Sequence, residues 1–153
     1  AVGNNLSLEW INFYVNEILS LDVSNNTSLQ QLYCFGNPIQ SLDVSHITLL
    51  TRLSCGSNYL TSMDVSNNSS LEHLYCNGNQ LTSLDVSNNP SLTFLYCYNN
   101  QLTNLDVSKN TSLTELSCSK NQITCIEVND SQLNNDVSNW TKDDTSTWSL
   151  DCD

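Results

Sequence analysis

Apolar residues return along this chain at a fixed interval of 21. Counted from Leu8, the first position of each unit is leucine: Leu8, Leu29, Leu50, Leu71, Leu92 and Leu113. The fourth is Ile11 and then Leu32, Leu53, Leu74, Leu95 and Leu116. The sixth is Phe13 followed by Cys34, Cys55, Cys76, Cys97 and Cys118. Positions eleven, fourteen and sixteen are always aliphatic, with Met63 counted as such. The ninth is asparagine in all six units, from Asn16 to Asn121. Neither insertion nor deletion disturbs residues 8–133. Self-similarity at such a period marks a solenoid.

Within a unit, L-x-x-L-x-C puts the fourth and sixth residues on one face of a short strand and the intervening residue on the other. After the x-x-N-x-L that follows, ten residues remain before the next strand. That is too few for a long helix, so a second short extended segment around L-D-V-S, with tight turns, is expected on the return side. One unit cannot bury its apolar side alone. Stacking units at about 4.8 Å gives a parallel sheet over a continuous core.

The first eleven residues, L-x-x-L-x-C-x-x-N-x-L, resemble the leucine-rich repeat, with cysteine in its third apolar slot. The resemblance implies a repeat solenoid with a parallel β-sheet on the concave face and short strands and turns on the convex face. Residues 1–133 form the expected solenoid: 1–28 a divergent amino-terminal cap and first repeat, 29–133 five regular repeats. Residues 134–153 are expected to form a carboxyl-terminal cap. The L-D-V-S-x-N unit and the closing C-I-E-V…W…W…D-C segment are similar to repeat regions of secreted or surface proteins of Bacteroidota-type bacteria, and more loosely to internalins. That likeness implies adhesion or recognition at the cell exterior.

The polar columns have structural readings. The ninth-position asparagines are expected inside the turn, their amides bonding backbone groups that the bend leaves unpaired. Ser24, Ser45, Ser66, Ser87 and Ser108 are expected to cap the turn after the second segment. Asp22, Asp43, Asp64, Asp85 and Asp106, followed by Glu127, make a column of carboxylates. Neighbours about 5 Å apart repel by about 1 kcal/mol in water, so hydrogen bonds from the adjacent turn should offset this. Calcium between rungs is the alternative, and it lacks a D-x-[DN]-x-[DN]-G loop.

Seven cysteines divide into two groups. The five in register fit the core as small, half-apolar side chains. Stacked side chains point the same way, which disfavours the dihedral a disulfide needs, so buried free thiols are expected. No metal site is expected, because C-x-x-C and C-x₂₋₄-C…H spacings are missing. Cys125 breaks the series, and Cys152 remains to pair with it. A bridge closing about 27 residues contributes roughly 3–4 kcal/mol on a chain-entropy estimate. It would hold Trp140, Trp148 and Leu150 as a lid over the open end and implies an oxidising compartment.

Composition narrows the function. Among 153 residues, four basic against sixteen acidic give a net charge of −12, which argues against nucleic acid and anionic membranes. No apolar run approaches the roughly 18 residues of a membrane span, and no signal peptide precedes Ala1, so any targeting segment is expected either to have been removed or to lie outside this sequence. A secreted or cell-surface location and a monomeric state are expected.

If invariant positions build the coil, partner information lies where units differ. The outward positions of the sheet are expected to be three, five, seven and eight. Position three reads Trp10, Gln31, Arg52, His73, Phe94 and Glu115; position five Asn12, Tyr33, Ser54, Tyr75, Tyr96 and Ser117; position seven Tyr14, Phe35, Gly56, Asn77, Tyr98 and Ser119. Eight of the twelve aromatics fall in these three columns. Strands favour aromatics, but solvent-facing rings in such density mark binding surfaces. The candidate ligand-binding residues are Trp10, Tyr14, Tyr33, Phe35, Arg52, His73, Tyr75, Phe94, Tyr96 and Tyr98.

Catalysis is not expected. The face has no close carboxylate pair, no nucleophile in a G-x-S-x-G context and no phosphate loop. No cofactor is expected. The reading is a recognition module for a protein partner. Alternatives are a carbohydrate-binding module stacking the same rings on sugars, and a structural spacer within a larger surface protein.

Overall fold

A computed structural model describes residues 5–135 and 137–152. The outer ends of the expected caps, residues 1–4, Asp136 and Asp153, lie outside the described residues.

Each unit contributes one three-residue strand to a parallel sheet: β1 (Trp10–Asn12), β2 (Gln31–Tyr33), β3 (Arg52–Ser54), β4 (His73–Tyr75) and β5 (Phe94–Tyr96). Next come β6 (Leu105–Asp106), β7 (Glu115–Ser117), β8 (Cys125–Glu127), helix α1 (Asp130–Asn134), β9 (Trp140–Thr141) and β10 (Thr147–Ser149). The concave sheet runs β1-β2-β3-β4-β5-β7-β9. Its register advances by one unit per strand, so that Ile11, Leu32, Leu53, Leu74, Leu95 and Leu116 sit side by side. These side chains point inward and are buried, with the position-one leucines from Leu29 to Leu113 and the five in-register cysteines.

The convex side forms a ladder only near the carboxyl end, where β6, β8 and β10 pair in parallel. In earlier coils the L-D-V-S stretch forms no strand. Aspartate Oδ1 accepts the N–H of the serine two residues on, at 2.8–3.0 Å in Asp22, Asp43, Asp64, Asp85 and Asp106. The expected caps are therefore reversed: aspartate accepts and serine donates. Ser45 also donates its hydroxyl to Asp43. Two tight turns follow, as in Asn68 N–H to Val65 carbonyl and Leu71 N–H to Asn68 carbonyl. These bonds to serine hold the Asp22, Asp43, Asp64 and Asp85 carboxyls below the usual carboxylate range.

The ninth-position asparagines bind coils together. Asn79 donates Nδ2 to the carbonyls of Cys76 (3.0 Å) and of Cys55 one coil earlier (3.1 Å), while its Oδ1 accepts the Leu60 N–H (3.0 Å). Asn37, Asn58, Asn100 and Asn121 repeat the arrangement. A second asparagine ladder runs through position nineteen, which the sequence reading left without a role. Asn68, Asn89 and Asn110 are buried and donate to two carbonyls of the preceding coil. Gln132 ends this ladder with the same two bonds.

Cys34, Cys55, Cys76, Cys97 and Cys118 are free and buried. Burial alone pushes the Cys34 thiol up to about 12 and dominates the rise at the other four. Cys125 and Cys152 form a disulfide with their Cα atoms 5.7 Å apart. The segment it ties down continues both sheets, β9 beside β7 and β10 beside β8. Trp140 and Trp148 pack on the core with ring centroids 5.6 Å apart. Leu150, expected as part of the lid, is 47% exposed. The sixth unit ends in α1, whose cap is reciprocal: Asn129 accepts the Gln132 N–H and Gln132 Oε1 accepts the Asn129 N–H.

Position eight is not part of the outward strand face. Val15, Gly36, Ser57, Gly78, Asn99 and Lys120 all have positive φ, between 50° and 70°. The chain leaves the strand there through a left-handed residue, which favours glycine or asparagine and disfavours a β-branched side chain.

Candidate recognition face

Alternation along each three-residue strand sends positions three and five away from the core, and position seven extends the file past the strand end. Trp10 and Tyr14 are exposed, while Tyr33, Phe35, His73, Tyr75, Phe94, Tyr96 and Tyr98 are half-buried against one another. The rings form two groups. Near the amino end, Trp10 lies 6.3 Å from Tyr33, and Tyr14 stacks on Phe35 at 4.9 Å with planes 12° apart. In the middle, His73 lies 4.5 Å from Phe94 and 6.1 Å from Tyr75. Tyr75 meets Tyr96 edge-on at 5.1 Å, and Tyr98 follows at 6.4 Å.

The third coil separates the groups, with exposed Arg52, buried Ser54 and buried Gly56. A Cβ on Gly56 would come within 2.9 Å of the Asn77 carbonyl and 3.0 Å of Phe35. Only glycine lets the neighbouring coils close at this point.

Polar groups fix ring orientation. Tyr33 donates its hydroxyl to Gln31 Oε1 (2.9 Å), His73 Nδ1 lies 3.2 Å from the Tyr75 hydroxyl, and Tyr96 donates to Glu115. The bond to Glu115 pushes the Tyr96 phenol up to about 12. Partial burial, reinforced by Arg52, moves His73 below the ordinary imidazole value. These shifts favour the uncharged forms of His73, Tyr75 and Tyr96, which suit stacking and hydrogen bonding. Among the described residues no cluster of three or more His, Cys, Asp or Glu is placed to hold a metal ion. No helix among them is long and apolar enough to cross a membrane.

The comparisons agree with this architecture. Residues 69–110 and 90–135 match the family of Leucine Rich repeats (2 copies). The functional domain of InlJ from Listeria monocytogenes, which includes a cysteine ladder, is 38% identical, with a TM-score of 0.78 over 84% of this chain and 31% of that one. Listeria monocytogenes InlP is 32% identical, with a TM-score of 0.67 over 78% and 36%. A chain of the LRIM1/APL1C complex is 26% identical, with a TM-score of 0.73 over 79% and 25%. A comparison with curated proteins finds no match. The protein is a leucine-rich repeat solenoid. More narrowly, it is similar to the internalins, and it spans about a third or less of the length of these solved chains.

Proposed function

We propose that this domain is a non-catalytic recognition module outside the cell, binding a protein partner through the concave aromatic face. The observation that carries the reading is the double ring cluster on the solvent side of the sheet, half-buried by its own members and held by side-chain hydrogen bonds. Preoriented tyrosines beside Asn, Gln and Ser offer contact area at low entropic cost, the composition of adaptable protein-binding surfaces. The LRIM1/APL1C structure is a complex, which fits partner binding by such solenoids. A secreted or surface location rests on the likeness to internalins and on the disulfide, which needs an oxidising compartment.

The test is affinity capture from the native environment, comparing the intact domain with a Tyr75→Ala/Tyr96→Ala variant. A protein held by the first, lost by the second and rebound by the purified domain with at least tenfold weaker binding to the variant supports the reading. Titration with soluble polysaccharides is the second arm. Glycan binding abolished by Tyr96→Ala would replace the protein partner with a sugar. Absence of any ligand for the intact face would leave a structural spacer.

A further inference from the structure

Beside the concave face, the flank where each coil leaves its strand carries side chains that the coils do not use. Position eight runs along this flank through Gly36, Ser57, Gly78 and Asn99, all with positive φ. A shallow trough of about 410 Å³ lies along these four residues and is bordered by Pro38 and Tyr59 of position ten. A Cβ on Gly78 would meet the Ser57 hydroxyl at 3.3 Å, so glycine there keeps that hydroxyl uncovered. At about 4.8 Å per coil, the four position-eight residues span about 14 Å along the solenoid. A second trough, of about 360 Å³, is lined by Gln40, Thr61 and Gln80, and Tyr59 borders both.

Tyr59 is unlike the rings of the concave face, which lean on one another. It is 55% exposed, and among the described residues no other ring packs against it. Gln40, Ser57, Thr61 and Gln80 are also exposed. Among the described residues no side-chain hydrogen bond ties them or the Tyr59 hydroxyl to the protein. An exposed ring by itself is ordinary. Here the ring stands between two troughs whose amides and hydroxyls are uncommitted. None of the residues lining either trough is charged, although the chain carries a net charge of −12.

We infer that this flank is a second binding site, for a neutral oligosaccharide that stacks one sugar ring on Tyr59. Gln40, Gln80, Thr61 and Ser57 hydrogen-bond the hydroxyls of that ring and its neighbours. A charged ligand finds no counter-charge here, and an apolar one finds a single ring with no enclosed pocket. A pyranose has a flat C–H face and a rim of hydroxyls. It needs one aromatic surface with amides, which both donate and accept, on either side. The troughs are open and elongated, which suits a chain lying across several coils. The site uses none of the concave rings, so it stands whatever that face binds.

The probes are four neutral hexasaccharides: cellohexaose, laminarihexaose, mannohexaose and chitohexaose. Each is titrated into the intact domain by calorimetry, with amide resonances followed in parallel. The expected result is binding of at least one, with shifts centred on Gly36, Ser57, Tyr59 and Gly78. Tyr59→Ala is expected to weaken that binding about tenfold or more, through the lost contact area and stacking of one ring. Its melting temperature should match that of the unaltered domain, because the ring is exposed and unpaired. Tyr59→Trp should restore binding, and Gln40→Ala/Gln80→Ala should weaken it with the fold intact. Two results would overturn the inference: no binding of any of the four, or binding that survives Tyr59→Ala. If the surviving binding were lost in Tyr75→Ala/Tyr96→Ala, the sugar would belong to the concave face instead.

Discussion

At the residue scale, two single positions show how a repeat tolerates exceptions. Val15 is β-branched at φ 50°, where coil five has Asn99 at 56°. A left-handed conformation costs an ordinary residue about 1–2 kcal/mol, so Val15→Asn is expected to raise stability by about 1 kcal/mol in urea unfolding. Asn79 presents the opposite case. Asn79→Ala leaves the Leu60 N–H without its partner and takes one of two asparagine bonds from each of the Cys55 and Cys76 carbonyls, which keep Asn58 and Asn100; at about 1 kcal/mol per lost bond, a loss of about 3 kcal/mol is expected. The asparagine role was legible, since an invariant polar residue next to a strand end has backbone to satisfy. Position eight was not, because Val15, Ser57 and Lys120 masked what Gly36, Gly78 and Asn99 signalled. Position nineteen stayed silent for another reason. Its partners lie 21 and 24 residues earlier, and Ile47 interrupts the column.

At the element scale, the acidic turns and the closing disulfide make separate predictions. Asp22, Asp43, Asp64, Asp85 and Asp143 have carboxyls lowered by hydrogen bonds in the fold. A carboxyl that is more acidic folded than unfolded adds stability above its unfolded value. That stability is lost as pH falls through the folded value. The carboxylate contribution to urea midpoints should thus be level from neutrality to about pH 5 and decline below it, after a smaller loss from His73 as pH falls through the ordinary imidazole value, and Asp64→Asn should flatten the acidic decline. The Cys125–Cys152 pair closes 27 residues. Its removal by Cys125→Ser/Cys152→Ser is expected to cost about 3 kcal/mol in urea unfolding. Mass measurement after alkylation of the unfolded chain should count five thiols before reductant and seven after. The repeat predicts a short extended segment on the convex side of every coil, and only the last coils pair there.

At the scale of the whole molecule, the period of 21 made the core, the concave sheet and the outward columns legible before any coordinates, because each step repeats one environment. The pairing of rings was not legible, since it depends on side-chain rotamers across coils. Neither was the covering of the carboxyl end by strands of both sheets, as residues 134–152 have lost the repeat. One consequence of the cysteine file concerns motion. A thiol whose proton is held so firmly reacts with iodoacetamide only when its own coil opens, so labelling rate follows the free energy of that local opening. Five such reporters stand at successive depths of a one-dimensional assembly. The order in which they label would trace, coil by coil, the end from which the native protein begins to unravel.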